Sequence, residues 1–401
     1  MPLCVDIECT TYNKGNPYDQ RNKLVSIHCH DGTQSWSFKP SDKVEVQELI
    51  DKHDLLILFN AKFDISWLRL YSFNVTNKKI YDVQLAEYYL SNQQHKLPSL
   101  DEVLVKYGLP VKVDKVAALW DAGVQTDDIP WDVLCEYGEG DVEKTYALYV
   151  LQLPKFSQKK KILFDLACQD LLVLQEMEWN GLHYNQELCH EKSKALQQDI
   201  QQLRTKLDAV YPDVPINWNS NDQLSAFLYG GTIKEEYKEL VGFYKTGVKA
   251  GQPKYKNAIR EHQLPRLFTP LQKSEMAKPG VYATDEGTLR KLKGKNKKYV
   301  ELLLELAKLT KLDETYYQGL DKLNAEMHWP KNYLHGQFNQ TIARTGRLSS
   351  SRPNLQNLSG EALDIFITRY RSGANQLCEV FPSWWPAHNE AVVWALSRCS
   401  T

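Results

Sequence analysis

Leu3-Cys4-Val5-Asp6-Ile7-Glu8-Cys9-Thr10 is the stretch on which the fold turns. Leu3, Val5 and Ile7 are apolar and β-prone, and strand side chains alternate faces with a period of two, so these three define a buried face. The same period puts Asp6 and Glu8 together on the opposite face. Two ionised carboxylates side by side repel each other, so the pair is costly unless a cation lies between them, and Mg²⁺ is the natural guest. Asp-x-Glu is common on ordinary strands, so further acids must converge on it from elsewhere in the chain.

The 401 residues exceed one ordinary core and imply two or three domains. Lys and Arg number 49 against 50 Asp and Glu, so net charge excludes no partner and only the distribution of charge is informative. Eight cysteines without a Cys-x-x-Cys pair imply reduced thiols and a cytoplasmic setting. No apolar run is long enough to span a membrane. Asp6 and Glu8 fall where the apolar core of a signal peptide would lie.

Lys23 to Cys29 reads as a second strand, with Asp31-Gly32 as the turn into Gln34 to Phe38. His28-Cys29-His30 offers two imidazoles on one strand face, too few ligands for zinc without a second pair. The continuous apolar run Leu55-Leu56-Ile57-Leu58-Phe59 marks a central strand covered on both faces. It runs into Asn60-Ala61-Lys62-Phe63-Asp64, which places Asp64 where a strand hands over to a helix, an edge at which ligands bind. Two helices follow between Tyr81 and Tyr107, then an acidic loop holding Asp121, Asp127 and Asp128. Trp131 to Leu151 reads as a helix with Tyr137 and Asp141 four residues apart, hence on one face.

Asp-x-Glu on a strand, Asn-x-x-x-Asp at a strand-to-helix turn and Tyr-x-x-x-Asp on a later helix together resemble the three motifs of the DEDD exonucleases, in their tyrosine-bearing branch. The resemblance covers about residues 1 to 150 and implies an α/β ribonuclease-H-like fold. It also implies two Mg²⁺ or Mn²⁺ ions for phosphodiester hydrolysis. Asp6 would bridge both ions, Glu8 and Asp141 would complete the nucleophile-side site, Asp64 would hold the second ion through water, and Tyr137 would orient the attacking water. Asn60 would hold its loop or touch the substrate. Cys9 departs from the threonine or small residue usual after the glutamate, which touches a substrate contact and removes no metal ligand.

From Lys159 the pattern is helical. Leu163, Leu166, Leu171, Leu174 and Met177 keep helical spacing up to Asn180-Gly181, and Leu196 to Val210 repeats it. Asn219-Ser220-Asn221 caps another helix and Thr284 a further one. Between 230 and 280 ten basic residues face five acidic ones, without clear periodicity. A basic run continues to Lys298, a charge distribution suited to phosphates.

Gln340-Thr341-Ile342-Ala343-Arg344-Thr345-Gly346-Arg347-Leu348-Ser349-Ser350-Ser351-Arg352-Pro353-Asn354-Leu355-Gln356-Asn357-Leu358 is a loop of amide, hydroxyl and guanidinium donors around a turn glycine, suited to phosphates and minor-groove acceptors. It resembles the Thr-Gly-Arg-Leu-Ser-Ser...Pro-Asn-Leu-Gln-Asn signature of family A DNA polymerases. With the exonuclease motifs the resemblance reaches about residue 380 and implies a phage-type polymerase. The expected layout is a 3′–5′ exonuclease domain over 1–155, a mainly α thumb over 156–335 with a basic insertion at about 230–280, and a partial α+β palm over 336–401. DNA, as single-stranded 3′ ends and primer-template, is the implied partner, contacted by Lys308, Lys311, Arg344, Arg347, Gln356 and Asn357.

After Val380 the family pattern would continue Asp-Tyr(or Phe)-Ser-Gln-x-Glu, whose aspartate holds the polymerase metals, but the sequence reads Phe381-Pro382-Ser383-Trp384-Trp385-Pro386. Nucleotidyl transfer is therefore not expected from this chain alone. A truncated or shifted reading frame explains the break, as does a split polymerase completed by a second polypeptide. A non-catalytic DNA-binding module is the remaining alternative.

Overall fold

The computed structural model describes residues 1–111, 115–247 and 251–367. Strand β1 (Pro2–Cys9) is the middle of a five-stranded mixed sheet ordered β3-β2-β1-β4-β5. It runs antiparallel to β2 (Leu24–His30), which pairs antiparallel with β3 (Ser35–Phe38). On its other side β1 runs parallel to β4 (Leu55–Leu58), and β4 parallel to β5 (Lys79–Asp82). Leu3, Val5 and Ile7 are buried, and Leu56, Ile57 and Leu58 have no exposed surface, which is why these segments read as core strands. Each fully buried aliphatic chain of this kind contributes about 1.5–3 kcal/mol.

Helices α1 (Lys43–Asp51), α2 (Ala61–Leu70), α3 (Val83–Leu90), α4 (Leu100–Lys106), α5 (Lys115–Asp121), α6 (Trp131–Gln152) and α7 (Gln158–Asn180) follow in chain order. Helix α6 lies against β1, β2 and β3, and α7 against β5, α2 and α3. One core joins them, from Leu3 and Ile57 through Trp67 and Tyr88 to Val142 and Phe164. Ser99 starts α4 with a capping box closed by Glu102. Helix α5 occupies part of the segment expected to be an acidic loop, because Val116 is buried with Ile129 and Leu134.

Contacts divide the chain into two compact units, residues 1–186 with those from 320 on, and residues 187–319. Helix α7 falls in the first unit because its Phe164, Ala167, Cys168 and Leu171 share the core of the sheet. Beyond α7 the first unit holds β6 (Leu182–His183), and the second holds most of α8 (Gln186–Asp208), then α9 (Asn221–Tyr229). A ribbon of β7 (Gly231–Phe243) and β8 (Pro253–Leu264) follows, then α10 (Glu286–Leu289) and α11 (Lys297–Leu312). The ribbon lies in the stretch read as aperiodic. Asp285, not Thr284, caps α10, accepting from the Thr288 N–H at 3.0 Å. Leu207, Phe227, Leu228, Leu303 and Leu306 form the second unit's core. Helix α12 (Gln318–Met327) and strands β9 (Tyr333–Leu334), β10 (Gln337–Asn339) and β11 (Ser349–Ser351) complete the order, with β9 paired to β6 and β10 to β11. No helix among the described residues is long and apolar enough to cross a membrane. Residues 381–386, where the family pattern breaks, lie outside the described residues.

Candidate active site

Three of the expected acids come together. Asp6 and Glu8 stand on one face of β1, Asp141 faces them from α6, and one carboxylate oxygen of each lies within 4.8 Å of the others. Asp64, in the first turn of α2, is 2 % exposed and approaches β1 between the two acids, accepting from the Ile7 backbone N–H. Burial and then the charge of Asp6 push its carboxyl well above the usual range. Its Oδ2 has no hydrogen-bond partner. An orphaned buried oxygen beside a carboxylate triad fits a hard divalent cation, since such ions take oxygen donors and compensate the repulsion.

The β4–α2 turn that delivers Asp64 is held by a residue absent from the sequence-based set. Asn60 takes a left-handed φ of 63° at the start of α2, is exposed, and makes no capping hydrogen bond with its side chain. The turn is fastened instead by Asp82, whose Oδ2 accepts the Ala61 N–H at 2.8 Å while its Oδ1 caps α3 through the Leu85 N–H at 2.9 Å. Burial raises the Asp82 carboxyl, and these N–H groups oppose the rise. The only signal in the sequence is an acid at a helix start, which gives the cap but not the second bond.

Tyr137 lies one turn before Asp141 on α6, half-buried with its ring edge-on to Trp120 at 5.7 Å. The end of β1 is braced by the segment that precedes α6. Thr126 donates to the Cys9 carbonyl at 2.6 Å, and Gln125 Oε1 accepts from the Thr11 N–H at 3.0 Å. Burial, then the charge of Glu8, pushes the Cys9 thiol up and keeps it protonated. His28, 0 % exposed, hydrogen-bonds Ser26 and Ser37. A cleft of about 700 Å³ opens in the same unit, lined among others by Asn13, Asn60, Lys62, Phe63 and Arg352.

The residues expected to touch DNA are on the surface of both units. Arg344 and Arg347 are exposed in the loop between β10 and β11, in which Gly346 takes a φ of 73°. Gln356 and Asn357 belong to a short 3₁₀ turn anchored by buried Leu355, which packs with Leu174, Met177 and Phe338. Lys308 and Lys311 are exposed on α11 of the other unit.

Comparison with known proteins agrees with this architecture. A family model described as 3′–5′ exonuclease matches residues 1–152, and one described as DNA polymerase family A matches residues 257–375. DNA polymerase I of Synechocystis sp. is 28% identical over 310 residues, 75% of this chain and 27% of that protein. The thermostable DNA polymerase I of Thermus filiformis is 32% identical over 206 residues, 51% of this chain and 20% of its own length. The DNA polymerase of Bacillus phage SP01 is 25% identical over 330 residues, 78% of this chain and 35% of that protein. The chain thus spans between 20% and 35% of the length of these relatives. Among solved structures, the POL domain of Pol1 from M. smegmatis, complexed with DNA primer-template and dNTP, shares the fold with a TM-score of 0.62 at 18% identity, covering 91% of this chain and 54% of that one. A match to the 3′–5′ exonuclease family at the start of the chain is thus followed by a match to DNA polymerase family A.

Proposed function

We propose that this chain hydrolyses the 3′-terminal phosphodiester of DNA, as the proofreading exonuclease and DNA-gripping portion of a family A polymerase. The observation that carries the reading is the convergence of Asp6, Glu8 and Asp141 beside buried Asp64. Two divalent cations, Mg²⁺ or Mn²⁺, supply when bound an activated water, charge neutralisation at the phosphate and stabilisation of the leaving 3′-oxygen. Asp6, Glu8 and Asp141 are the residues that would hold one, and Asp6 with Asp64 the other. Tyr137 contributes its hydroxyl, positioned one turn from Asp141, to orient the attacking water. Asn60, exposed at the rim of the cleft, borders the substrate.

In this reading residues 1–155 are the exonuclease domain, 156–335 the thumb and those from 336 the start of a palm. Arg344, Arg347, Gln356 and Asn357 contact primer-template, and Lys308 and Lys311 contact phosphates. The place of action is the cytoplasm. Primer extension by the isolated chain should fail, since the aspartate expected after Val380 is replaced.

The test is release of mononucleotides from 3′-labelled single-stranded DNA in Mg²⁺. Asp6→Ala with Glu8→Ala should abolish it, and undiminished cleavage by the double variant would end the proposal.

A further inference from the structure

Resting on the exonuclease reading, we infer that the β2–β3 hairpin, through His28 and a contact with Gly138, sets where Asp141 stands, so that these are positioning residues for the metal-holding triad. In the sheet His28 lies directly opposite Asp6, and Ser26 opposite Glu8, so the hairpin continues the acidic face of β1. Helix α6 crosses that face. Gly138, one turn before Asp141, rests on the imidazole so closely that a Cβ at position 138 would come within 2.1 Å of His28 Cδ2.

The ring is not free to yield. It is wholly buried, with Nε2 2.8 Å from Ser26 Oγ and Nδ1 2.9 Å from Ser37 Oγ. Ser37 in turn donates to Glu139 Oε1 on α6 at 2.7 Å. Since the Ser37 proton goes to the carboxylate, its oxygen accepts from His28 Nδ1–H. The pattern repeats one turn along, where His30 Nδ1 lies 2.9 Å from Ser35 Oγ and Ser35 donates to Glu143 at 2.8 Å. Two His–Ser–Glu rungs thus fix α6 along the hairpin, and the imidazole under Gly138 fixes its height. Asp141 lies between the two glutamates in sequence. A helix lifted by the width of a methyl group would draw its oxygens away from Asp6 and Glu8, and an ion between them tolerates little of that.

The test is Mn²⁺ binding to the full chain, with Tm and exonuclease rate measured alongside. Gly138→Ala should weaken Mn²⁺ by at least about tenfold, the range in which supporting residues act on metal sites, and should raise the Mn²⁺ concentration for half-maximal cleavage. His28→Ala in the same chain makes room for the new methyl group at the cost of one rung, and should bring Mn²⁺ affinity part of the way back toward the wild-type value. A role confined to folding predicts changed Tm without a changed Mn²⁺ requirement. The inference is overturned if folded Gly138→Ala binds Mn²⁺ like the wild type, or if the folded double variant does not recover. Should Gly138→Ala fail to fold, His28→Ala alone decides: with one rung and the stop under Gly138 gone it should bind Mn²⁺ more weakly than the wild type, and unchanged affinity in the folded variant overturns the inference. Wild-type protein that binds Mn²⁺ with this pattern yet degrades no DNA would refute the nuclease reading and leave the positioning intact.

Discussion

Asp82 reaches no member of the acidic triad through a hydrogen bond in this structure, yet the approach of Asp64 depends on it. Both its oxygens accept backbone N–H groups, one at the β4–α2 turn and one at the start of α3. Asp82→Asn keeps the shape but turns one acceptor into a donor facing a donor, which costs about 1–3 kcal/mol for the unsatisfied buried pair. Urea denaturation should show that loss, and the cleavage rate should fall as the turn loosens; an unchanged midpoint would contradict it. Asp19 offers a pH readout in the loop after β1. Burial alone would raise its carboxyl, but Arg21 through side chain and backbone, and Asn13 through its amide, outweigh burial and hold it below the ordinary value of 3.8. A depressed folded value means that this contribution is present above 3.8 and is lost as pH falls through the lower folded value. Wild-type stability should therefore decline more steeply than that of Asp19→Asn on the acid side of 3.8, and parallel curves would refute the assignment.

At the scale of elements, β1, β4 and α6 were legible because each carries its own signal: alternation, a continuous apolar run, or helical spacing between chemically paired residues. The ribbon was not. Both its faces are largely exposed, with Leu240, Phe243, Tyr255 and Ile259 at 52–61% exposure, so no buried face imposes a period of two. Its charges are nonetheless sorted. Near its base Lys234 pairs with Glu261, and Arg260 and His262 with Glu235, while toward the turn Lys238, Lys254 and Lys256 outnumber Glu239, which lies opposite Lys256. Replacing those three with Ala should weaken duplex DNA binding and flatten its salt dependence by about 0.9 in log–log slope per lost phosphate contact. An unchanged slope would remove the ribbon from the DNA-binding surface. That Asp6, Glu8 and Asp141 cluster could be expected from motif order, but the contacts of Asp82, Ser37 and Gly138 could not, since the partner of each is distant in sequence.

At the scale of the whole molecule, Lys62 of α2 is the fastening. Its Nζ lies 2.5 Å from Glu178 Oε1 on α7 and 2.5 Å from the Phe338 carbonyl on β10, and Phe338 N–H donates to the same glutamate at 2.6 Å. The pair is largely covered, with side-chain exposures of 17% and 9%. Removing the cation leaves a buried carboxylate short of its partner, so Lys62→Ala should cost about 3–5 kcal/mol in chemical denaturation; a loss well under 1 kcal/mol would show the pair to be solvated. The first unit is also discontinuous in sequence. It leaves off at 186 and resumes at 320, and Asp321 bonds Tyr184 and Gln186 across the gap. For a nascent chain leaving the ribosome this imposes a delay: the sheet and α7 emerge first, and Lys62 and Glu178 must wait for Phe338 through the translation of all of residues 187–319.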